Sequence, residues 1–129
     1  MARPSRKEHL EFATARVLLI DSCQATREVR AVVLREHGIE VHAAETLDEA
    51  RFLWRPDLYR LVLLDVRRYL PGEALDFYRL LKDISPRQRI AFMLGAPRYL
   101  SVTWPEEVID IDQVHPQWNE MVRHLAAAA

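Results

Sequence analysis

Two aspartates hold the positions where this chain could do chemistry, because each ends an unbroken apolar run: Arg16-Val17-Leu18-Leu19-Ile20-Asp21 and Arg60-Leu61-Val62-Leu63-Leu64-Asp65. Runs that are apolar at every position, rather than at every second one, suit parallel strands covered by helices on both faces. In sheets of that kind, sites form at the carboxyl ends of the strands. Asp65, after which the chain breaks toward Pro71-Gly72, is therefore the centre of the candidate site, with Asp21 on a matching neighbour. Arg67 and Arg68 follow Asp65 directly. A guanidinium turned back onto Asp65 could neutralise it through two parallel hydrogen bonds and stand in for a metal ion, the alternative being that both arginines point to solvent.

Other reactive residue types carry less. Ser22, His115 and an aspartate would make an acyl-transfer triad, but no strained nucleophile turn and no oxyanion site accompany them. His115 with two acids is too common a set to imply zinc, and His9, His37, His42 and His124 have no spacing that suggests ligation. Cys23 lies near the start of a predicted helix, where a thiolate is somewhat favoured, yet a structural role is the expectation. Trp54, Trp104 and Trp118 are read as core or interface anchors, since no basic stripe accompanies them to make base-stacking platforms.

The elements that must position these residues alternate along the chain. Met1 to about Ala15 is expected to be a flexible arm, with residues 16–129 forming one domain. After the first strand, Gln24 to His37 reads as a helix with Ala25, Val29, Val32 and Val33 on its inward stripe and Gly38 as its C-terminal cap. Ile39 to Ala43 is a strand. Thr46-Leu47-Asp48-Glu49 has the form of a capping box opening a helix to Trp54, which Pro56 ends. The central strand follows, then a helix over Glu73 to Ile84 with Leu75, Tyr78 or Arg79, Leu80 and Leu81 inward, and a strand over Ile90 to Leu94. Between Pro97 and Pro105 the periodicity fails, so the fourth helix is irregular, with a short helical turn over Pro105 to Val108. Val108 to Val114 nearly alternates, as an edge strand does, and a last helix from Trp118 to Ala127 buries Trp118, Met121, Val122 and Leu125. Five strands alternating with helices give an α/β doubly wound, three-layer sandwich.

The 129 residues suit a single domain that removes roughly two-thirds of its unfolded surface from water. A hydrophobic share of 50%, a charged share of 29% and a formal net charge of −1 describe a globular domain with no bias toward nucleic acid. The single cysteine precludes an internal disulfide, which fits a reducing compartment. No apolar stretch approaches the roughly 18 residues of a membrane helix, and Arg3, Arg6, Lys7 and Glu8 are unlike a signal peptide, so a cytoplasmic location with no membrane partner is expected.

Acids after the first and third strands, a small-residue end to the fourth and a basic residue before Pro116 after the fifth together resemble the receiver domain of two-component response regulators, over about Arg16 to Leu125. The resemblance implies a flavodoxin-like five-stranded parallel sheet, Asp65 at the phosphoacceptor position and Asp21 at one of the acids that hold Mg2+. It also implies a sensor histidine kinase or another signalling protein as partner, with a homodimer as a further arrangement. Several positions depart from the pattern. The second acid of the metal pair is Ser22, which removes a formal charge and weakens the expected hold on Mg2+. Gly95 stands at the Ser/Thr position that ends the fourth strand, Asp112 at the aromatic switch position and His115 at the lysine position. Histidine is a shorter and weaker cation than lysine. Pro116 is kept, and by resemblance its bond to His115 is cis; the loop from Asp65 to Pro71 is two residues longer than the family's.

These departures lead to the expectation of a degenerate receiver acting through protein–protein contact rather than as an enzyme. The alternative is a working receiver, phosphorylated on Asp65 with Mg2+ and dephosphorylating itself. In relatives the fourth helix, fifth strand and fifth helix often form the dimer or output face, so Tyr99, Leu100, Val102 and Trp104 are candidate anchors, unless they pack over the sheet in place of a regular helix.

Overall fold

The structure is a computed structural model that describes residues 15–95, 104–110 and 116–128. Five strands alternate with four helices among the described residues: β1 (Arg16–Ile20), α1 (Gln24–Glu36), β2 (Glu40–Ala44), α2 (Leu47–Leu53), β3 (Leu61–Asp65), α3 (Pro71–Ile84), β4 (Arg89–Leu94), β5 (Glu107–Asp110) and α4 (Pro116–Ala128). All strand pairs are parallel, in the order β2-β1-β3-β4-β5, so β3 is central and Asp65 leaves the middle of the sheet beside Met93 of β4.

The apolar runs are continuous because each strand is covered twice. Leu18, Ile20, Val62, Leu64, Ile90 and Phe92 face one way, against Ala50 and Trp54 near α2 and Ala74, Phe77 and Leu81 of α3. Val17, Leu19, Leu61, Leu63, Met93 and Ile109 face the other, against Ala31 and Leu34 of α1 and Met121, Val122 and Leu125 of α4. Successive side chains of a strand thus feed two cores, and no face is left for alternation. Burial of a large side chain in such a core is worth about 1.5–3 kcal/mol, so the two layers hold the sheet and fix where its strand ends point.

Local signals stop the elements where the sequence places them. Gly38 has φ +78°, and the N–H of Ile39 and of Gly38 donate to the carbonyls of Leu34 and Arg35 at 3.1 and 3.0 Å, which closes α1 with a left-handed residue. Thr46 Oγ1 accepts from the N–H of Glu49 at 3.1 Å, while Glu49 Oε1 accepts from the N–H of Glu45 at 2.6 Å, one residue further back than a capping box requires. Pro71 begins α3 two residues before the expected start at Glu73, at the position where a missing N–H costs nothing.

Several expectations are corrected. Val29 and Val32 are 63% and 52% exposed, and the inward stripe of α1 runs instead through Arg27, Arg30, Ala31 and Leu34, because the helix is anchored by its polar residues at the strand ends. In α3 the buried residues are Ala74, Phe77 and Leu81, and Leu80 turns outward. No helical turn forms over Pro105 to Val108: Glu107 and Val108 already pair in β5 with Ala91 and Phe92. Ala15, placed in the arm by the sequence, is buried, and its carbonyl accepts from the N–H of Glu40 at 2.8 Å. The rest of the arm, most of the irregular fourth helix with Tyr99, Leu100 and Val102, and the strand residues beyond Asp110 with Asp112 and His115 lie outside the described residues.

Trp54 and Trp104 both pack on the sheet. Trp54 is buried and donates from Nε1 to Gln88 Oε1 at 2.9 Å, and Gln88 Nε2 donates onward to the carbonyls of Tyr59 and Arg89 at 3.2 and 2.9 Å. Trp104 is half-buried with its ring centroid 4.8 Å from that of Phe92, so it covers β4 rather than standing free. Its approach to β5 is tied down by Glu106, which accepts from Tyr78 Oη and Lys82 Nζ, each at 2.8 Å.

Candidate functional site

Asp21 follows β1 and Asp65 ends β3, and since β1 and β3 are neighbours the two carboxylates reach the same edge of the sheet. Both are almost inaccessible, at 0% and 3% exposure. Buried carboxylates stay ionised only where donors replace the lost water. Here α1 and the β3–α3 loop supply them.

Asp21 Oδ1 accepts from the N–H of Cys23 at 2.9 Å, and Oδ2 accepts from Thr26 Oγ1 at 2.6 Å. Arg30, one turn beyond Thr26 on α1, donates from Nη1 to Asp21 Oδ2 at 2.8 Å and to Asp65 Oδ2 at 2.7 Å. A single guanidinium nitrogen therefore bridges the two acids. Arg67 closes the site from the loop: its N–H and Nε reach Asp65 Oδ1 at 3.0 Å, and its Nη2 lies 2.7 Å from Asp65 Oδ2. Arg27 completes the shell by donating to the carbonyl of Asp21 at 2.9 Å.

Electrostatics follow this geometry. Burial pushes the Asp65 carboxyl up, but hydrogen bonds from Arg67 and Arg30 more than reverse it and hold the group below the usual carboxylate range. The same bond from Asp65 pushes the Arg67 guanidinium up. Cys23, half-buried at the start of α1, has its thiol lowered, chiefly by the backbone N–H of Thr26.

Of the residues singled out from the sequence, Asp21, Asp65 and Arg67 converge, whereas Arg68 is exposed. Gly95 follows β4 and is buried, and it offers no side chain to the site. His115 lies outside the described residues. Arg30 and Thr26 were missed. The signal was present: Arg30 stands between Arg27 and Leu34 at helical spacing from Thr26, a basic residue on a stripe that points toward two acids.

The Mg2+ ion implied by the resemblance seen in the sequence does not suit these residues as they are paired. Mg2+ requires near-octahedral oxygen ligands at about 2.0–2.1 Å. Asp21 and Asp65 already share Arg30 Nη1, and Ser22 adds no charge.

No protein-family model matches the sequence, and no curated protein matches it. Solved structures do. The chain is similar to the response regulator TrrA of Thermotoga maritima, solved in complex with Mg(2+)-BeF, at 25% identity, 86% coverage of this chain, 98% of that chain and a TM-score of 0.68. It is similar to TrrA in its complex with the histidine kinase ThkA, at 25% identity, 86% and 97% coverage and a TM-score of 0.70. A CheY-like receiver domain protein from Methanospirillum hungatei shares the fold at 17% identity, 88% and 94% coverage and a TM-score of 0.70. These solved structures are response-regulator receivers of two-component signalling, and the chain shares their fold. In this chain the strand-end acids are held in ion pairs with Arg30 and Arg67.

Proposed function

We propose that the protein is a degenerate receiver, a signalling module that works by binding a protein partner and does not require a phosphoryl group on Asp65. The observation that carries this reading is the state of Asp65: both of its oxygens are engaged by the guanidiniums of Arg30 and Arg67 at 2.7 to 3.0 Å. A nucleophile held this way has lowered basicity and no open face. Gly95 and His115, at the positions where the family uses a hydroxyl and a lysine, support the same reading, because neither supplies the usual donor to a phosphoryl oxygen.

The partner fitting this fold is a sensor histidine kinase or another signalling protein; the complex of ThkA with TrrA supports a kinase. A second copy of the chain is the other candidate. Mg2+ is at most weakly held, and the domain is not an enzyme beyond any self-dephosphorylation. The second reading, a working phosphoacceptor on Asp65, is favoured by the similarity to TrrA solved with Mg(2+)-BeF.

Acetyl phosphate with Mg2+ separates the two. Intact-mass spectrometry is expected to show no phosphoryl adduct, and beryllofluoride is expected to leave the amide spectrum unchanged. An adduct that maps to Asp65 and disappears in Asp65→Asn, together with loss of partner binding in that variant, would establish the second reading.

A further inference from the structure

We infer that Arg30 is the resident cation of this site: its guanidinium fills the place between Asp21 and Asp65 where a divalent ion would sit, so the acid pair is closed to Mg2+ by Arg30 and not by the loss of an acid at Ser22. The inference deepens the reading of the site given above.

Three features separate Arg30 from the other arginines. First, its Nη1 alone contacts both acids, at 2.8 and 2.7 Å, which is the bridging position of an ion between two carboxylates. Arg67 contacts Asp65 alone of the two, from the side of the loop. Second, Arg30 is carried by α1, whose next residues Ala31 and Leu34 are buried in the core, so its stem is positioned by packing and its side chain is only 13% exposed. Third, each of the four carboxylate oxygens already accepts from at least one donor besides Arg30. Asp21 Oδ1 accepts from Cys23, Asp21 Oδ2 from Thr26, and Asp65 Oδ1 from Arg67. An incoming ion would have to expel Arg30 into space next to its own double charge, against a repulsion that a low-dielectric site enlarges. A tethered cation also makes the charge of the site independent of ion concentration. The acids are then neutralised in every condition in which the chain is folded.

The test is calorimetric titration of the full chain with Mg2+ and with Mn2+, in the unmodified protein and in Arg30→Met, Ser22→Asp and Arg67→Met. The unmodified protein and Ser22→Asp are expected to show no saturable uptake at millimolar ion, and Arg30→Met is expected to bind at least roughly tenfold more tightly. Arg67→Met is expected to stay closed, because Arg30 still bridges the pair. Arg30→Met leaves two buried acids to repel each other, so its melting temperature should fall and recover on addition of Mg2+ or Mn2+, while that of the unmodified protein stays constant. If Arg30→Met does not fold alone, the ion should restore its circular dichroism, and a chain that stays unfolded in saturating Mg2+ overturns the inference. Uptake opened by Ser22→Asp with Arg30 in place, equal uptake in Arg67→Met, or submillimolar binding by the unmodified protein also overturns it. A phosphoryl adduct formed without metal uptake would instead remove the proposed function and leave the role of Arg30 intact.

Discussion

Asp65→Asn is the substitution whose sign distinguishes an arginine-filled site from an empty acid pair. Where two buried carboxylates face each other with nothing between them, removing one charge relieves repulsion and stabilises the fold. Here the opposite is expected. Asn keeps the shape of Asp, but it has one acceptor oxygen and presents an NH2 group to guanidinium donors. Arg30 retains Asp21, whereas Arg67 loses its only carboxylate contact among the described residues. Breaking a buried ion pair on one side costs about 3–5 kcal/mol. The Arg67 side chain is 31% exposed and can swing toward water, which lowers the expected loss to about 2–4 kcal/mol. Against a total stability of about 5–15 kcal/mol, that is a fall in melting temperature on the order of 10 °C. Differential scanning calorimetry at neutral pH reads it directly, and repetition at high salt should change it little, since Asp65 is buried and weakly screened. An unchanged or raised melting temperature in Asp65→Asn would falsify the claim that Asp65 is held by Arg30 and Arg67.

Four further outcomes are expected. Burial raises the carboxyls of Asp65 and Glu106, but their hydrogen bonds to Arg67 and Arg30, and to Lys82 and Tyr78, hold both below the ordinary value. Their contribution should be fully present above an unfolded pKa of about 4 and be lost as pH falls through the lower folded values, so a melting profile that weakens between neutrality and about pH 5 would contradict this assignment. Gln88→Leu leaves the Trp54 Nε1 donor and the Tyr59 carbonyl without their partner and should cost about 2–3 kcal/mol in urea unfolding. Trp104→Ala removes the ring packed on Phe92 and should cost about 1–3 kcal/mol, less than a fully buried tryptophan; no change would place Trp104 outside the fold's stability. Val29→Ser, on the exposed side of α1, should stay within about 0.5 kcal/mol of the unmodified protein, and a larger loss would restore Val29 to the core.

The fold was legible because its strongest signals are redundant. Two apolar runs ending in acids, a capping residue at Thr46 and a left-handed glycine at Gly38 each fix an element, and their order admits one simple winding. The faces of the helices were less legible. A stripe of Ala25, Val29, Val32 and Val33 is more apolar than the one that turns inward, and hydrophobic period alone prefers it. What turns α1 by part of a turn is the demand of two buried acids for donors, satisfied by Thr26 and Arg30, with Arg27 on the backbone carbonyl of Asp21, which no count of apolar residues contains. The same physics explains the site. Arg67 and Arg68 both lie beside Asp65 in sequence, which makes either a candidate partner without choosing between them, while Arg30 lies thirty-five residues away and is brought in by the β1–α1–β2 winding.

The ion pairs bear on switching as well as on metal. A covalent signal moves a receiver by interacting differently with two states of its site, and a ligand with equal interactions shifts nothing. In this chain the site holds two carboxylates against two guanidiniums, Arg30 bonded to both acids and Arg67 to Asp65, so the two acids are paired before any phosphoryl group arrives. To attack phosphorus, Asp65 would have to release at least one guanidinium from Oδ2, where Arg30 and Arg67 each lie at 2.7 Å. Release from a buried site costs several kcal/mol, and the gain on offer is small when Gly95 supplies no side-chain donor at the end of β4. The arginines could follow a phosphoryl oxygen, which is the strongest argument for a working site, since guanidinium suits phosphate well. Arg30 cannot do so freely, because it would leave Asp21 buried with its charge uncompensated. The coupling of Asp21 and Asp65 through one nitrogen therefore favours a fixed site, and Arg30→Lys tests it: the lysine stem is one bond shorter than the path to Nη1 and its ammonium stops short of the point where that nitrogen meets both acids, so this variant should lose stability even though its charge is kept.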